Sequence, residues 1–272
     1  MSYFNKFSLH GKVAIVTGGA GILGRNFCCG LAEAGAHVAV VDINLEGAQK
    51  VVDEIQQSYN GNAQAFYCNL TDESSVKQMV QVVVDTFGHI DILHNNAAGK
   101  SNDLEAFFAP FEEYDLAQWQ RIMNTDLDSM FLVAKHVGKV MKEQERGGSI
   151  IQTSSIYGIM APDNRIYEGS FYLGREINTP AIYSASKAGV VGLTKYLATY
   201  WAQDNIRVNS ITPGGVESGQ NDIFKKNYSN RIPLGRMAKA EEMVGALIYL
   251  ASDASSYVTG HNLVIDGGLS TW

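Results

Sequence analysis

The chain has 272 residues, 46% hydrophobic and 18% charged, a composition that excludes disordered and fibrous proteins. A formal charge of −7 with scattered Lys and Arg excludes nucleic acid as a partner, because a phosphate backbone requires a concentrated basic face. Cys28, Cys29 and Cys68 are odd in number and lack ligand spacing, so buried thiols in a reducing compartment are expected, with no disulfide and no metal site.

The opening MSYFNKFSLHGKVAIVTGG lacks the basic and long apolar segments of a signal peptide. VGALIYLA at 244–251 is too short to span a bilayer, so a cytoplasmic protein without membrane attachment is expected. Short β-branched runs then alternate with amphipathic segments, predicting strands over 12–17, 37–42, 63–68, 90–96, 148–155, 206–212 and 262–268. This grammar predicts an α/β fold: a single doubly wound Rossmann-type domain over 1–272 with a seven-stranded parallel sheet. Two stretches, 99–117 and 159–181, interrupt the rhythm, and long excursions in such a domain are either functional loops or poorly ordered ones.

VTGGAGILGRNF places Gly18, Gly21 and Gly24 where the first strand turns into the first helix. Glycines there permit a tight turn and close approach of a pyrophosphate, which the helix N-terminus attracts through free N–H groups. Asp42 ends the second strand, where its carboxylate can accept from both ribose hydroxyls and would repel a 2′-phosphate, and no Lys or Arg stands beside it. The expected cofactor is NAD rather than NADP. The alternative is that Asp42 merely begins the turn that follows.

Tyr183 and Lys187 are spaced i to i+4, which puts both side chains on one face of a helix. An ammonium beside a phenol favours phenolate, so Lys187 is expected to lower the Tyr183 pKa from near 10 towards neutrality, as a proton acceptor requires. Ser155, at the end of a strand, would hold a substrate oxygen against that phenol.

These motifs occur in one order, TGGAGILG at 17–24, NNAAG at 95–99, Ser155, YSASK at 183–187, NSITPGG at 209–215 and VIDGG at 264–268. In that order they resemble the short-chain dehydrogenase/reductase family along almost the whole chain. The resemblance implies nicotinamide chemistry catalysed by Ser155, Tyr183 and Lys187, with Tyr183 and Lys187 also touching the cofactor. It further implies that Gly18, Gly21, Ile22, Leu23 and Gly24 hold the pyrophosphate, that Asn69 and Leu70 meet the adenine, with Asn69 hydrogen-bonding the ring amine, and that Asn95 begins the loop, including Ala97, that lies under the adenosine ribose. Pro213, Gly214, Val216 and Ser218 would border the nicotinamide amide. It also implies a homo-oligomer, with a tetramer favoured, through helices near 112–143 and 183–204.

Three departures stand out. The glycine spacing and the long separation of Ser155 from Tyr183 resemble the extended branch that handles nucleotide sugars, whereas the C-terminal third resembles the classical branch. Asp126 occupies a position where the classical branch has an Asn that steadies a proton relay, and a helix-kink role for it is equally expected. The stretch 159–181 reads as an active-site insertion. Its Asp163, Asn164, Arg165, Tyr167, Glu168 and Arg175 suit a polyhydroxylated ligand; alternatively the stretch packs on the subunit surface or on a neighbour.

The expected function is therefore NAD-dependent interconversion of a secondary alcohol and a ketone on a sugar, sugar acid or sugar-derived metabolite. The alternatives are a nucleotide-sugar epimerase or dehydratase with tightly bound NAD, and a catalytically inactive dinucleotide-binding regulator.

Overall fold

In the computed structural model, which describes residues 3–59, 61–99, 103–172 and 174–272, nine strands form. They are β1 (Val13–Thr17), β2 (His37–Asp42), β3 (Ala63–Tyr67), β4 (Ile92–Asn95), β5 (Gly148–Thr153), β6 (Phe171–Tyr172), β7 (Arg175–Glu176), β8 (Ile206–Pro213) and β9 (Asn262–Ile265). Seven make one sheet in the order β3-β2-β1-β4-β5-β8-β9, and every pairing in it is parallel. The Rossmann-type sheet expected from the sequence is therefore present. The strand order reverses between β1 and β4, so the chain leaves their C-terminal ends in opposite directions and opens a crevice there.

β1 is buried at all five positions, as a central parallel strand with helices over both faces must be. Its alternate residues feed two cores. Ala14 and Val16 pack with α1 (Ile22–Glu33), α2 (Leu45–Tyr59) and the C-terminal helix over Val244–Ala251. Val13 and Ile15 face the other layer, with α3 (Glu73–Phe87) and two further helices over Ser129–Glu143 and Ala181–Tyr200.

The interruption at 99–117 holds a short helix, α4 (Leu104–Phe107), and a 3-10 turn over Phe111–Glu113 before α5 (Leu116–Met123) begins under an Asp115 cap. Between α5 and α6 (Ser129–Glu143), residues Asn124–Asp128 wind as a π-helix. Such a widened turn is often found at functional sites, and this one carries Asp126.

The interruption at 159–181 folds into a 3-10 turn over Asn164–Tyr167 and the β6–β7 hairpin, and leads into α7 (Ala181–Tyr200). Its apolar side chains join α8 (Asp222–Ser229): Ile166, Phe224, Tyr228 and Ile156 form a small core of their own. α9 (Val244–Ala251) completes the helices.

Candidate active site

At the end of β1 the backbone turns through Gly18 at φ 64°, a conformation that disfavours a side chain. A Cβ there would lie 2.9 Å from Ala97 Cα, and one on Gly24 would lie 2.0 Å from the Gly18 carbonyl oxygen. Gly21 caps α1, so the N–H groups of Ile22 and Leu23 are left without intrahelical acceptors. Ile22 is exposed. This arrangement of bare backbone and unsatisfied donors fits the pyrophosphate of a dinucleotide.

Asp42 stands against the same loop. Its carboxylate accepts from the Ala20 N–H at 3.0 Å and from the Asn44 N–H at 2.9 Å, so it both supports the turn and faces the crevice mouth. Asn69 differs from expectation in direction. Its Oδ1 accepts from the Thr71 N–H and hydroxyl at 3.2 and 2.8 Å, which leaves the NH2 as its open edge. That edge can donate to a ring nitrogen but cannot accept from a ring amine. Leu70 beside it is half-buried.

Asn95 ends β4 and opens the loop that follows it. It is fully buried, donating to the Met130 carbonyl at 2.8 Å and accepting from the Thr17 hydroxyl at 3.3 Å. It shapes the loop from beneath rather than presenting its amide to a ligand. The Thr17 hydroxyl in turn accepts from Asn96 and Ala97 N–H at 2.9 and 3.1 Å, tying the loops after β1 and β4 across the crevice. The sequence reading missed Thr17; its signal was a hydroxyl at the C-terminal end of a parallel strand, where such folds place their sites.

Pro213 ends β8, and the Gly214 N–H donates to Ile265 at 2.9 Å, with its Cα side pressed against Asp266. Val216 bridges to Ala238. Gln220, another residue missed, folds the loop by donating to the Val216 carbonyl and the Ser218 hydroxyl at 3.0 and 2.8 Å.

The three chemical residues converge. Ser155 begins a 3-10 turn with its Oγ accepting from the Tyr157 N–H at 3.3 Å, and its hydroxyl stands near enough to the Tyr183 phenol to favour the phenolate. Its neighbour Ser154 points the other way and donates to the Lys187 carbonyl at 2.8 Å. Lys187 is buried on the same face of α7 as Tyr183, with Nζ 5.9 Å from the phenol ring centroid and donating to the Thr153 carbonyl at 3.3 Å. Thr153 was also missed; its hydroxyl bonds the buried His94 at 2.9 Å, and burial holds that imidazole down at about 3.

The expected electrostatics are corrected here. Burial raises the Tyr183 phenol above its usual value; the Ser155 hydroxyl opposes this and the Asp126 carboxylate reinforces it. Burial likewise lowers the Lys187 ammonium, against the pull of Asp126. Desolvation thus sets the direction of both shifts, with Nζ engaged by the Thr153 carbonyl. Asp126 is fully buried, its Oδ1 accepting from the Gly99 N–H at 2.9 Å and its Oδ2 without a hydrogen-bond partner. Burial raises its carboxyl, with Lys187 opposing.

The insertion spends much of its expected polarity internally. Asp163 pairs with Arg165 at 2.7 Å and with Arg231. Tyr167 stacks on Phe224 at 5.6 Å and hydrogen-bonds Thr179, while the Glu168 carbonyl accepts from Asn227 at 3.2 Å. Asn164 lines a cavity at the start of α7. The Arg175 side chain lies outside the described residues.

Residues 19–270 match a family model described as enoyl-(acyl carrier protein) reductase. An NADP-dependent mannitol dehydrogenase of Alternaria alternata is 38% identical over 272 residues, covering 96% of this chain and 93% of that one. Among solved structures, a short-chain type dehydrogenase/reductase from Mycobacterium marinum superposes with a TM-score of 0.87 at 35% identity, covering 99% of both chains. A gluconate 5-dehydrogenase from Burkholderia cenocepacia, in complex with NADP and tartrate, gives 0.87 at 30% identity over the whole of both chains. With a dinucleotide cradle and a Ser-Tyr-Lys centre on one crevice, this chain belongs to the short-chain dehydrogenase/reductase family of oxidoreductases.

Proposed function

We propose that the protein is an NAD-dependent dehydrogenase that interconverts a secondary alcohol and a ketone on a sugar, sugar alcohol, sugar acid or sugar-derived metabolite. The observation that carries this reading is the convergence of Ser155 and Tyr183, close enough for the Ser155 hydroxyl to hold the phenol's pKa down, with Lys187 buried on the same helical face. The mannitol and gluconate relatives support the substrate class.

In the oxidative direction Ser155 and Tyr183 hold the alcohol oxygen between two hydroxyls, and Tyr183 accepts its proton. Lys187 stabilises the resulting phenolate and would hold the nicotinamide ribose. Asp126 keeps a negative charge behind Lys187 and so favours its ammonium form. When bound, the dinucleotide supplies the hydride acceptor. Gly18, Gly21, Ile22, Leu23 and Gly24 would hold its pyrophosphate, Asp42 its ribose hydroxyls, Asn69 and Leu70 its adenine, and Pro213, Gly214, Val216 and Ser218 its nicotinamide amide. Asp42 favours NAD, although the mannitol relative uses NADP.

The proposal includes a cytoplasmic homo-oligomer, with a tetramer favoured. The exposed Phe131, Tyr196 and Tyr200 on α6 and α7 supply an apolar face for it, and the described chain has no helix long and apolar enough to cross a membrane. Incubation with a panel of polyols, ketoses and sugar acids, monitoring reduced-cofactor absorbance with NAD and NADP separately, tests the function. Absence of turnover with every secondary alcohol would refute it.

A further inference from the structure

On the face of β4 that meets α1, His94 stands among apolar side chains. It shares that face with Ile92, pairs across the sheet with Ile151 of β5, and meets Phe27 of α1 edge-on at 4.3 Å between ring centroids. A Val or Ile would fill the place without burying a polar atom. The imidazole is instead fully buried and its Nδ1 lacks a partner, a costly arrangement, because folded proteins pair nearly all such atoms. Its one hydrogen bond among the described residues joins Nε2 to the Thr153 hydroxyl at 2.9 Å. Burial holds the ring at about 3, so it is a neutral fixture at any working pH.

Thr153 ends β5, on the same face, two residues beyond Ile151. The peptide joining it to Ser154 gives its N–H to the Ile211 carbonyl of β8 at 2.9 Å. In a trans peptide the carbonyl points the opposite way, here towards β4. But β4 has already ended at Asn95, paired with Gln152. Lys187, arriving from α7 on the other side of the sheet, takes up the acceptor that no strand uses, at 3.3 Å. A peptide held by a single ladder bond can tilt about the strand axis and swing its carbonyl with it. The bond from His94 fixes the Thr153 side chain, hence its Cα–Cβ direction, and so removes that tilt.

The aim of this carbonyl matters to the ammonium. Burial works against the charged form of Lys187. The titratable groups facing it are Asp126, from the π-helical turn between α5 and α6, and the Tyr183 phenol on its own helix. β5 adds the Thr153 carbonyl, which can only accept and so favours an ammonium over an amine.

We infer that His94 is a positioning residue: through the Thr153 hydroxyl it aims the Thr153 carbonyl at Lys187 Nζ and so keeps the ammonium beside Tyr183. The inference rests on the proposed alcohol dehydrogenase activity and extends its machinery to a residue buried on the face of the sheet away from α7.

The test compares wild type with Thr153→Val, which keeps the shape and the carbonyl but loses the hydroxyl, with His94→Leu, with His94→Gln, and with the Thr153→Val/His94→Leu double variant. Oxidation of D-mannitol, D-arabinitol and 2-propanol by NAD is followed across pH. In Thr153→Val and His94→Leu the acid limb of kcat should move up by about one pH unit, as a tenfold loss of phenolate stabilisation requires. Below that limb kcat should fall about tenfold, with KM within about twofold. The double variant should be no worse than either single one, since both remove the same bond, and His94→Gln, which can still hydrogen-bond Thr153, should restore the wild-type profile. A second readout is carbon-13 NMR of protein labelled at lysine Cε, with the Lys187 signal assigned by its loss in Lys187→Arg. That signal should shift in Thr153→Val and His94→Leu and return in His94→Gln. Melting temperatures that fall while the acid limb or the Lys187 signal stays put would mark a merely structural histidine and overturn the inference, as would additive losses in the double variant. If none of the alcohols is oxidised, the activity itself is refuted and the Lys187 signal alone decides: a shift in Thr153→Val supports the positioning role, and no shift overturns it. If His94→Leu does not fold, Thr153→Val against wild type decides by the same criteria.

Discussion

Replacing Asp126 by Asn should stabilise the protein at neutral pH, against the ordinary expectation for a buried polar residue. Asp126 is fully buried, keeps one oxygen without a partner, and titrates above the usual carboxyl range because burial outweighs the attraction of Lys187. A carboxyl raised on folding binds more protons in the native state than in the unfolded one. Its stabilising contribution is therefore complete below the unfolded pKa and is lost as the pH rises through the folded value. At pH 7 the ionised group is a net cost of about 1.4 kcal/mol for every pH unit separating the two.

The amide cannot ionise and escapes this cost, while keeping an oxygen for the Gly99 N–H. A gain of about 1 kcal/mol corresponds to roughly 2–4 °C in Tm for a chain of this size. Calorimetric melts of wild type and Asp126→Asn should therefore diverge by at least that much at pH 7 and converge near pH 4. The Asp126 charge also raises the Tyr183 phenol, so the acid limb of the pH profile for alcohol oxidation, where the general base becomes protonated, should move to lower pH in the variant. A variant that melts below wild type at pH 7 would refute the reasoning, because attraction between Asp126 and Lys187 would then exceed the burial cost.

Tyr183→Phe should reduce turnover by about 10²–10⁴-fold, the usual contribution of a general acid–base group, while cofactor affinity measured by fluorescence titration stays within about twofold. Ser154→Ala and Ser155→Ala should separate cleanly in paired kinetics and melts. The first loses its bond to the Lys187 carbonyl and about 1 kcal/mol of stability; the second loses turnover. Asp42→Ala should narrow the NAD to NADP ratio of kcat/KM, and a wild type that prefers NADP would contradict the role given to Asp42. Gly24→Ala, whose Cβ would meet the Gly18 carbonyl at 2.0 Å, should abolish cofactor binding detected by titration.

Much of the fold was legible because parallel strands announce themselves as continuous apolar runs: VAIVT and HVAVVD at β1 and β2 could hardly be anything else. Tyr183 and Lys187 were legible for a local reason, since helical spacing alone brings them to one face. What could not be read was anything that depends on competition between distant groups. The fate of Asn95 turned on Met130 and Thr17, and the polarity of Asn69 on the Thr71 N–H. The direction of the Tyr183 shift turned on burial, which no spacing reports. In the insertion the residue types suggested open binding groups, but Arg231, 68 residues beyond Asp163, claims that carboxylate.

That last contact has a consequence for re-engineering. The hairpin segment and α8 share one apolar patch through Ile166, Phe224 and Tyr228 and are fastened at its rim by Asp163 and Arg231. Neither half has a complete hydrophobic underside alone. Transplanting residues 159–181 into another scaffold should therefore give a floppy appendage unless 221–232 travels with it, and swaps of substrate range between relatives should succeed only as paired cassettes.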